Sequence, residues 1–253
     1  MILIIGLMAG IFGGFVGVGG GVVMIPFMVK GLKLGQHKAH GTSLVALVFT
    51  GIAGAITYAV AGTVDIVASV SLAATAIFTA PFGAHFANSL PEWKLKRSFG
   101  GFLLLVAILL IFKPYVTPHA SHISGWEKIM ILLSSGVFTG FISGMMGVGG
   151  ATIMIPAMVL LVGMGQHIAQ GSSLLAMVPV GAAGAYAHYK LGNVETKCLP
   201  GLIAGIVVGT FLGGTLASVL SDDALRFVFA IILFWTGMNY LRSPAQKEEE
   251  SIA

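Results

Sequence analysis

Two glycine-rich segments of this chain have the composition of backbone sites that bind small anions. The first reads Gly-Val-Gly-Gly-Gly from Gly17, and the second reads Gly-Val-Gly-Gly-Ala from Gly147. Dense glycines disfavour a continuous helix, and the apolar stretch after each segment predicts a short helix that begins there. The free N–H groups and the positive dipole end of such a helix attract anions. The residues predicted to line a substrate passage are Gly19, Gly20, Gly21, Gly149, Gly150 and Ala151. The alternative for these glycines is close packing of helices through small residues.

Hydroxyl and amide side chains follow each glycine segment in a second shared motif. Gly-Gln-His begins this motif in both places, and each motif ends in a pair of hydroxyl residues at the start of a long apolar span. Two interpretations of the hydroxyls stay open: they cap the helices, or they hydrogen-bond an oxyanion. The candidate residues are Thr42, Ser43, Ser172 and Ser173, with Gln36 and Gln166 as weaker candidates.

The titratable residues indicate transport rather than catalysis. No acidic residue lies inside a predicted span, which disfavours a carboxylate proton relay or a cation pathway. Histidine titrates near neutral pH, so the residues available for proton coupling are His37, His167, His85 and His188. The sequence predicts no catalytic cluster, metal site or cofactor. The glycine runs lack the βαβ context of a dinucleotide site and the Gly-Lys-Ser/Thr of a phosphate loop.

The two motifs recur because the chain contains an internal duplication. Residues 14–46 align with residues 144–176 at a constant offset of 130, and 18 of the 33 positions are identical. Two glycine-interrupted hydrophobic segments at corresponding positions of two halves indicate the binding site of a membrane transporter.

The composition predicts a membrane protein. Hydrophobic residues make up 57% of the 253 residues, charged residues 9%, and the mean hydropathy is +0.98. A soluble domain has about 25% charged residues. Apolar spans of roughly bilayer length occur at residues 43–62, 66–90, 98–112, 172–189, 198–220 and 225–241. We therefore expect an all-α, multi-pass transmembrane bundle, and the net charge of +4 does not indicate a nucleic-acid partner.

The domain organisation follows from the duplication. Residues 1–112 form the first transmembrane repeat, 113–127 a polar linker, 128–242 the second repeat and 243–253 a disordered tail. If each glycine segment folds back, 10 basic residues lie on one side of the membrane and 3 on the other; if each belongs to one broken helix, the counts are 7 and 6. Because basic residues accumulate on the cytoplasmic side, the sequence favours inverted repeats, each with a glycine-broken opening segment and three full crossings.

The doubled motif resembles the TauE/SafE family of sulfite and organosulfonate exporters. The resemblance rests on the glycine run that ends at Pro26, the Ala-x-Gly-Thr-Ser-Leu from Ala39, their second-half counterparts, and the His-Tyr-Lys-x-Gly-x-Val-Glu from His188. It covers nearly the whole chain outside the linker and tail. The first half departs from it at Tyr58, where the second half has His188, and Ala151 replaces the third glycine. The resemblance implies a bacterial plasma-membrane protein that exports a small sulfur-containing anion.

The residues and the resemblance together predict a secondary transporter of sulfite or a sulfonate. Its site lies between the two repeats, and alternating access rocks one repeat against the other. The alternatives are a passive anion channel and a non-transport membrane subunit. The expected partners are a small anionic substrate and the lipid bilayer.

Overall fold

The computed structural model describes residues 1–87, 92–112, 125–147 and 149–242, without the side chains of residues 36, 87, 92–96, 98 and 99. Most of the predicted linker and the whole predicted tail lie outside these ranges. The described residues form ten α-helices and no strand. The helices are α1 Ile2–Val16, α2 Gly21–Gly31, α3 Gln36–Val60, α4 Ile66–Ala87, α5 Glu92–Ile111, α6 Trp126–Met146, α7 Ala151–Pro156, α8 Gln166–Lys190, α9 Leu199–Ala217 and α10 Asp222–Leu241. A π-helical turn, Ala157–Leu161, continues α7.

Six of these helices are long and apolar enough to cross a membrane. Five of them match predicted spans, and the sixth is α6, which the sequence treated as part of a glycine-broken segment. The predicted span at residues 98–112 corresponds to α5, whose apolar part, Gly100–Ile111, is shorter than a full crossing. The exterior carries large apolar side chains such as Phe78, which is 74% exposed, and Phe138, which is 70% exposed. An apolar surface of this kind matches a lipid environment and confirms the predicted all-α membrane bundle.

Two pairs of helices approach through glycines and run parallel to each other. In α1 and α9, glycines face the backbone of the partner helix at Gly6–Leu202, Gly10–Ile206 and Gly14–Thr210. The α6 and α4 pair repeats this arrangement at Gly136–Leu72, Gly140–Ala76 and Gly144–Ala80. The numbers rise together along both helices, so each pair is parallel. A Cβ at any of these glycines would collide with the partner's backbone, which explains why small residues occupy this face.

The equivalent helices α3 and α8 pack against each other in opposite directions. Leu44 of α3 lies beside Gly184 of α8, whereas Gly54 of α3 lies beside Leu174 of α8. Parallel repeats would give equivalent helices the same direction across the membrane. The antiparallel packing therefore agrees with the inverted arrangement favoured by the distribution of basic residues.

Each glycine segment reverses the direction of the chain. Gly17 ends α1 in the left-handed region, at φ 76°, and its N–H donates to the Gly13 carbonyl over 2.9 Å. Gly20, at φ 80°, lies against Ala9 in the middle of α1, so the chain has doubled back along the helix before α2 begins. Gly147, Gly149 and Gly150 adopt the same left-handed conformations after α6. The segments thus fold back instead of continuing as kinked helices.

Polar contacts at two equivalent turns tie the halves together. The Asp65 N–H donates to the Ser172 hydroxyl over 2.8 Å, and the Glu195 N–H donates to the Thr42 hydroxyl over the same distance. Asp65 also forms an ion pair with Lys128 at the start of α6. The turn after α3 is therefore anchored to two helices of the second half.

The Asp65–Lys128 pair predicts a pH-dependent loss of stability. Burial raises the pKa of the Asp65 carboxyl, but the hydrogen bond and charge of Lys128, together with backbone N–H groups of α4, more than offset it, so the pKa lies below its ordinary value. A lowered carboxyl pKa contributes stability at neutral pH that is lost as the pH falls through the folded-state pKa. Lys128→Met is expected to cost less than about 1 kcal/mol at pH 7, because solvent screens a partly exposed pair. Thermal unfolding in detergent measures this cost.

The pH series supplies the control for this pair. The difference between wild type and Lys128→Met should shrink as the pH falls below about 4, the ordinary carboxyl pKa, and should vanish below the lowered folded-state pKa of Asp65. Lys38→Met breaks the Lys38–Glu195 pair, which is longer, at 3.5 Å, and has a lysine side chain that is 51% exposed. A smaller cost is expected there. A destabilisation by Lys128→Met that is constant from pH 7 to pH 3 would contradict the assignment.

Candidate functional site

The two glycine loops, defined as residues 17–20 and as residues 147, 149 and 150, meet at the centre of the bundle. A Cβ on Gly19 or on Gly149 would contact the same two side chains, Leu47 and Met177. These two residues lie near the middle of the 25-residue helices α3 and α8, and both are fully buried. The loops therefore approach each other from opposite ends of the bundle and are separated by one leucine and one methionine.

Each loop presents the start of a helix to this centre. The first helical hydrogen bonds of α2 run from the N–H groups of Val23 and Met24 to the Gly20 carbonyl. In α7 they run from Ile153 and Met154 to the Gly150 carbonyl. The N–H groups that precede these have no partner within the helix, and the helix dipole places positive potential around them. Of the predicted residues, Gly19 and Gly149 are thus brought beside the same two side chains, and each lies just before the start of a helix.

The predicted serines hold the loop of the opposite half. The Ser43 hydroxyl lies 2.8 Å from the carbonyl oxygen of Gly147, and the Ser173 hydroxyl lies 3.2 Å from that of Gly17. Each hydroxyl also lies within 2.8 Å of a carbonyl oxygen one turn earlier in its own helix. Because a hydroxyl has a single proton, the donors of both serines are shared between carbonyl groups in this conformation. The serines therefore position the loops, and their lone pairs stay available.

Thr42 and Ser172 lie next to these serines but face the anchored turns. Their hydroxyl oxygens accept from Glu195 and Asp65, and both residues are fully buried. The side chain of the predicted Gln36 lies outside the described residues. Gln166 is 2% exposed, and its amide atoms have no partner among the described residues. It lines a cavity of about 200 Å³ beside Arg226, away from the glycine loops.

The predicted histidines occupy different surroundings. His167 is half-buried, and its ring nitrogens lie near the Asp222 carboxylate and the Ala217 carbonyl. This acidic partner is 55 residues away in sequence. His37 and His85 are exposed. His188 is 1% exposed, and its Nε2 lies 3.1 Å from the Gly144 carbonyl, just before the second glycine loop.

Sequence reasoning missed several residues that surround the loops. The Tyr58 hydroxyl lies 3.0 Å from both the Gly14 carbonyl and the Gln170 amide oxygen. Gln170 in turn packs against Gly17. The signal was available in the duplication, because an offset of 130 pairs Tyr58 with His188 and pairs Gln170 with a histidine, His40. Such exchanges at otherwise matched positions mark where the two halves differ in chemistry.

Two further hydroxyls distinguish the second loop from the first. Thr139 and Ser143 of α6 are buried beside Gly150, and their oxygens have no partner among the described residues. The equivalent positions in α1 are Ala9 and Gly13. At these two positions, therefore, the second half has hydroxyl groups beside its loop and the first half has none. Within the described ranges, no cluster of three or more His, Cys, Asp or Glu residues could hold a metal ion.

Six membrane-crossing helices, an apolar exterior and a glycine-lined centre define a multi-pass membrane protein. The sequence profile described as sulfite exporter TauE/SafE matches residues 1–110 and 131–252. The chain belongs to this family.

The curated relatives that match the chain are described as probable membrane transporters. YdhB of Bacillus subtilis (strain 168) is 23% identical over 231 residues, which cover 89% of this chain and 93% of the relative. YunE of the same organism is 25% identical over 263 residues, or 95% and 96% of the two chains. A probable membrane transporter protein of Xylella fastidiosa (strain Temecula1) is 28% identical over 236 residues, or 91% and 88%. No solved structure gives a significant match.

Proposed function

We propose that this protein is a secondary transporter that exports a small sulfur-containing anion, such as sulfite or a sulfonate. The observation that carries the proposal is the convergence of two helix-initiating glycine loops on one point at the centre of the bundle. Backbone N–H groups at helix starts bind oxyanions without a fixed positive side chain. The proposal that the anion contains sulfur rests on the family description, sulfite exporter TauE/SafE.

The proposed binding residues are those predicted from the sequence. Gly19, Gly20 and Gly21 supply backbone groups from one side, and Gly149, Gly150 and Ala151 supply them from the other. Ser43 positions the second loop through the Gly147 carbonyl, and Ser173 positions the first loop through the Gly17 carbonyl. Thr42, Ser172, Gln36 and Gln166 stay weaker candidates, since two of them face the anchored turns and Gln166 lines a separate cavity.

The closed centre supports a transporter over a passive channel. A channel keeps a continuous polar pore, whereas Leu47 and Met177 are fully buried between the glycine loops. Substrate can pass only when these side chains and the loops rearrange. Movement of one half against the other would break and remake the serine contacts to the opposite loops. Alternating access of this kind is the usual mechanism of repeat-built transporters.

Flux into proteoliposomes tests the proposed function directly. Purified protein is reconstituted, and uptake of labelled sulfite, sulfoacetate, taurine and sulfate is measured with and without unlabelled substrate inside. Counterflow, in which internal substrate accelerates uptake, is expected for a transporter and absent for a channel. If none of the four solutes moves faster than in protein-free liposomes, the proposal fails.

The serines give the matching mutational prediction. Ser43→Ala with Ser173→Ala removes the hydrogen bonds to the Gly147 and Gly17 carbonyls. Each lost bond between neutral partners costs about 1 kcal/mol. We expect the double variant to fold but to transport at least tenfold more slowly, measured as initial flux at saturating substrate.

A control for the serines comes from a hydroxyl in a comparable bond elsewhere. Thr75 of α4 donates to the Leu133 carbonyl over 2.6 Å, away from the glycine loops. Thr75→Val should lower the unfolding temperature by a similar amount while leaving flux near that of the wild type. Equal flux losses in Thr75→Val and the serine variant would reduce the serines to a purely structural role.

A further inference from the structure

The two halves brace their glycine loops with different chemistry at equivalent positions. In the first half, the Tyr58 hydroxyl lies 3.0 Å from the Gly14 carbonyl, one turn before the loop. In the second half, His188 Nε2 lies 3.1 Å from the Gly144 carbonyl at the equivalent place. A phenol stays protonated throughout the physiological range, whereas imidazole changes its charge there. The side chain that contacts the first loop region therefore keeps one charge state, whereas the side chain that contacts the second can take up a proton.

The geometry fixes the tautomer of neutral His188. A carbonyl oxygen only accepts hydrogen bonds, so Nε2 must carry the hydrogen that points to Gly144. Nδ1 then presents a lone pair, and it has no hydrogen-bond partner among the described residues. A buried acceptor without a partner is costly. His188 thus holds an unused proton-accepting atom inside the bundle, next to the second glycine loop.

No carboxylate of the described residues hydrogen-bonds the His188 ring. The imidazoles of His37 in α3 and His85 in α4 are close enough to act on it electrostatically. The nearby Glu195 side chain is paired with Lys38. His40, the counterpart of Gln170, lies against Gly147 of the loop. A buried imidazolium without a counter-charge is strongly disfavoured, so protonation requires an anion to arrive.

We propose that His188 takes up the proton that moves together with the transported anion. The inference rests on the proposed transport function and adds its coupling step. A proton from the solution binds the Nδ1 lone pair, while Nε2 keeps its hydrogen and continues to donate it to the Gly144 carbonyl. The imidazolium and an anion at the second glycine loop then neutralise each other, which lowers the cost of burying either charge. Because such coupling is reciprocal, each ligand raises the affinity for the other, and both leave when the site opens to the other side.

The chain itself offers the replacement that tests this step. His188→Tyr with His40→Gln installs the first-half pair, Tyr58 and Gln170, at the second loop. Methanesulfonate is the probe, because it stays ionised at neutral pH and carries no proton of its own. Wild-type proteoliposomes with an internal pH dye should move protons with methanesulfonate. The double variant should still move labelled methanesulfonate, with proton movement at least tenfold lower per anion. Unchanged proton movement per anion would overturn the proposal.

Two further experiments test the proposal if the double variant does not fold. His188→Gln and His85→Gln are compared, since both remove one imidazole. Proton movement should be lost in the first and kept in the second, and the reverse result would overturn the proposal. In the wild type, deuterium exchange at the imidazole C2 position reports the titration of His188. Its midpoint should rise with added methanesulfonate, and an unshifted midpoint would also overturn it. If the wild type transports none of the tested anions, the transport function itself fails, which is distinguishable from these outcomes.

Discussion

Replacing Gly20 with alanine is expected to prevent accumulation of folded protein. Gly20 has φ 80°, and the left-handed conformation costs about 1–2 kcal/mol for a residue with a Cβ. Its Cβ would also collide with the carbonyl oxygen of Ala9, which belongs to the backbone of α1 and has little room to move. Expression as a monodisperse species in detergent and thermal unfolding measure the loss.

The equivalent substitution in the second loop should be milder. A Cβ on Gly150 would lie 2.6 Å from Thr139 Cγ2 and 3.2 Å from Ser143 Cβ, so it meets side chains first. Thr139 has a second rotamer available, whereas a backbone carbonyl has none. Gly150→Ala is therefore expected to yield folded but destabilised protein.

Two exposed glycines supply a control that separates the cost of the left-handed backbone conformation from the cost of a steric clash of the new Cβ. Gly62 and Gly192 have φ 70° and 72°, and a Cβ at either one would meet nothing within 4 Å. Gly62→Ala and Gly192→Ala carry the conformational cost alone and should remain folded and active. Equal losses in Gly20→Ala and Gly62→Ala would show that strain, and not the fold-back contact, dominates.

Truncating both side chains between the glycine loops is expected to convert the protein into an anion leak. Leu47→Ala with Met177→Ala removes the apolar barrier that separates Gly19 from Gly149. A reduction of the passage barrier by about 1.4 kcal/mol already speeds permeation tenfold. Uptake of labelled methanesulfonate should rise and lose its acceleration by internal substrate.

The same truncation also destabilises the bundle, so the control variant must truncate a leucine and a methionine that are equally buried. Large-to-small changes in a core cost about 2–5 kcal/mol each. Leu72 and Met158 are also fully buried, but neither lies between the loops. Leu72→Ala with Met158→Ala should lower the unfolding temperature comparably and leave transport coupled. A leak in both double variants would mean that general loosening opens the bundle.

The sequence predicted much of the architecture because its strongest signals are local. Glycine density at residues 17–21 and 147–151 requires the chain to leave the helical conformation wherever the tertiary fold places it. Apolar length predicted five of the six membrane-crossing helices, and it missed α6 because that helix runs directly into a glycine segment. The distribution of basic residues favoured the arrangement in which α3 and α8 run antiparallel. The preference of Lys and Arg for the cytoplasmic side of the membrane acts on loops, so it can be counted without a structure.

The chemistry around the loops was less accessible because it depends on distant partners. Ser43 reaches Gly147, 104 residues away, and Ser173 reaches Gly17, 156 residues away. The sequence interpretation considered these serines as caps or anion ligands, and contacts between halves were beyond it. Asp222 likewise lies beside His167 only after folding, because the two are 55 residues apart in sequence.

The sequence by itself determined that this is an all-helical membrane protein with an internal duplication and two glycine-rich segments that interrupt its helices. Those properties follow from composition, period and local backbone preference, which act within a few residues. Only the tertiary structure decided that the loops meet across Leu47 and Met177 and that each is held by a serine of the opposite half. It also decided that His188 is buried, with one ring nitrogen that has no partner among the described residues, while the hydroxyl of its counterpart Tyr58 contacts Gly14 and Gln170. These outcomes depend on helix packing, which brings together residues more than 100 positions apart, and no local preference encodes such contacts.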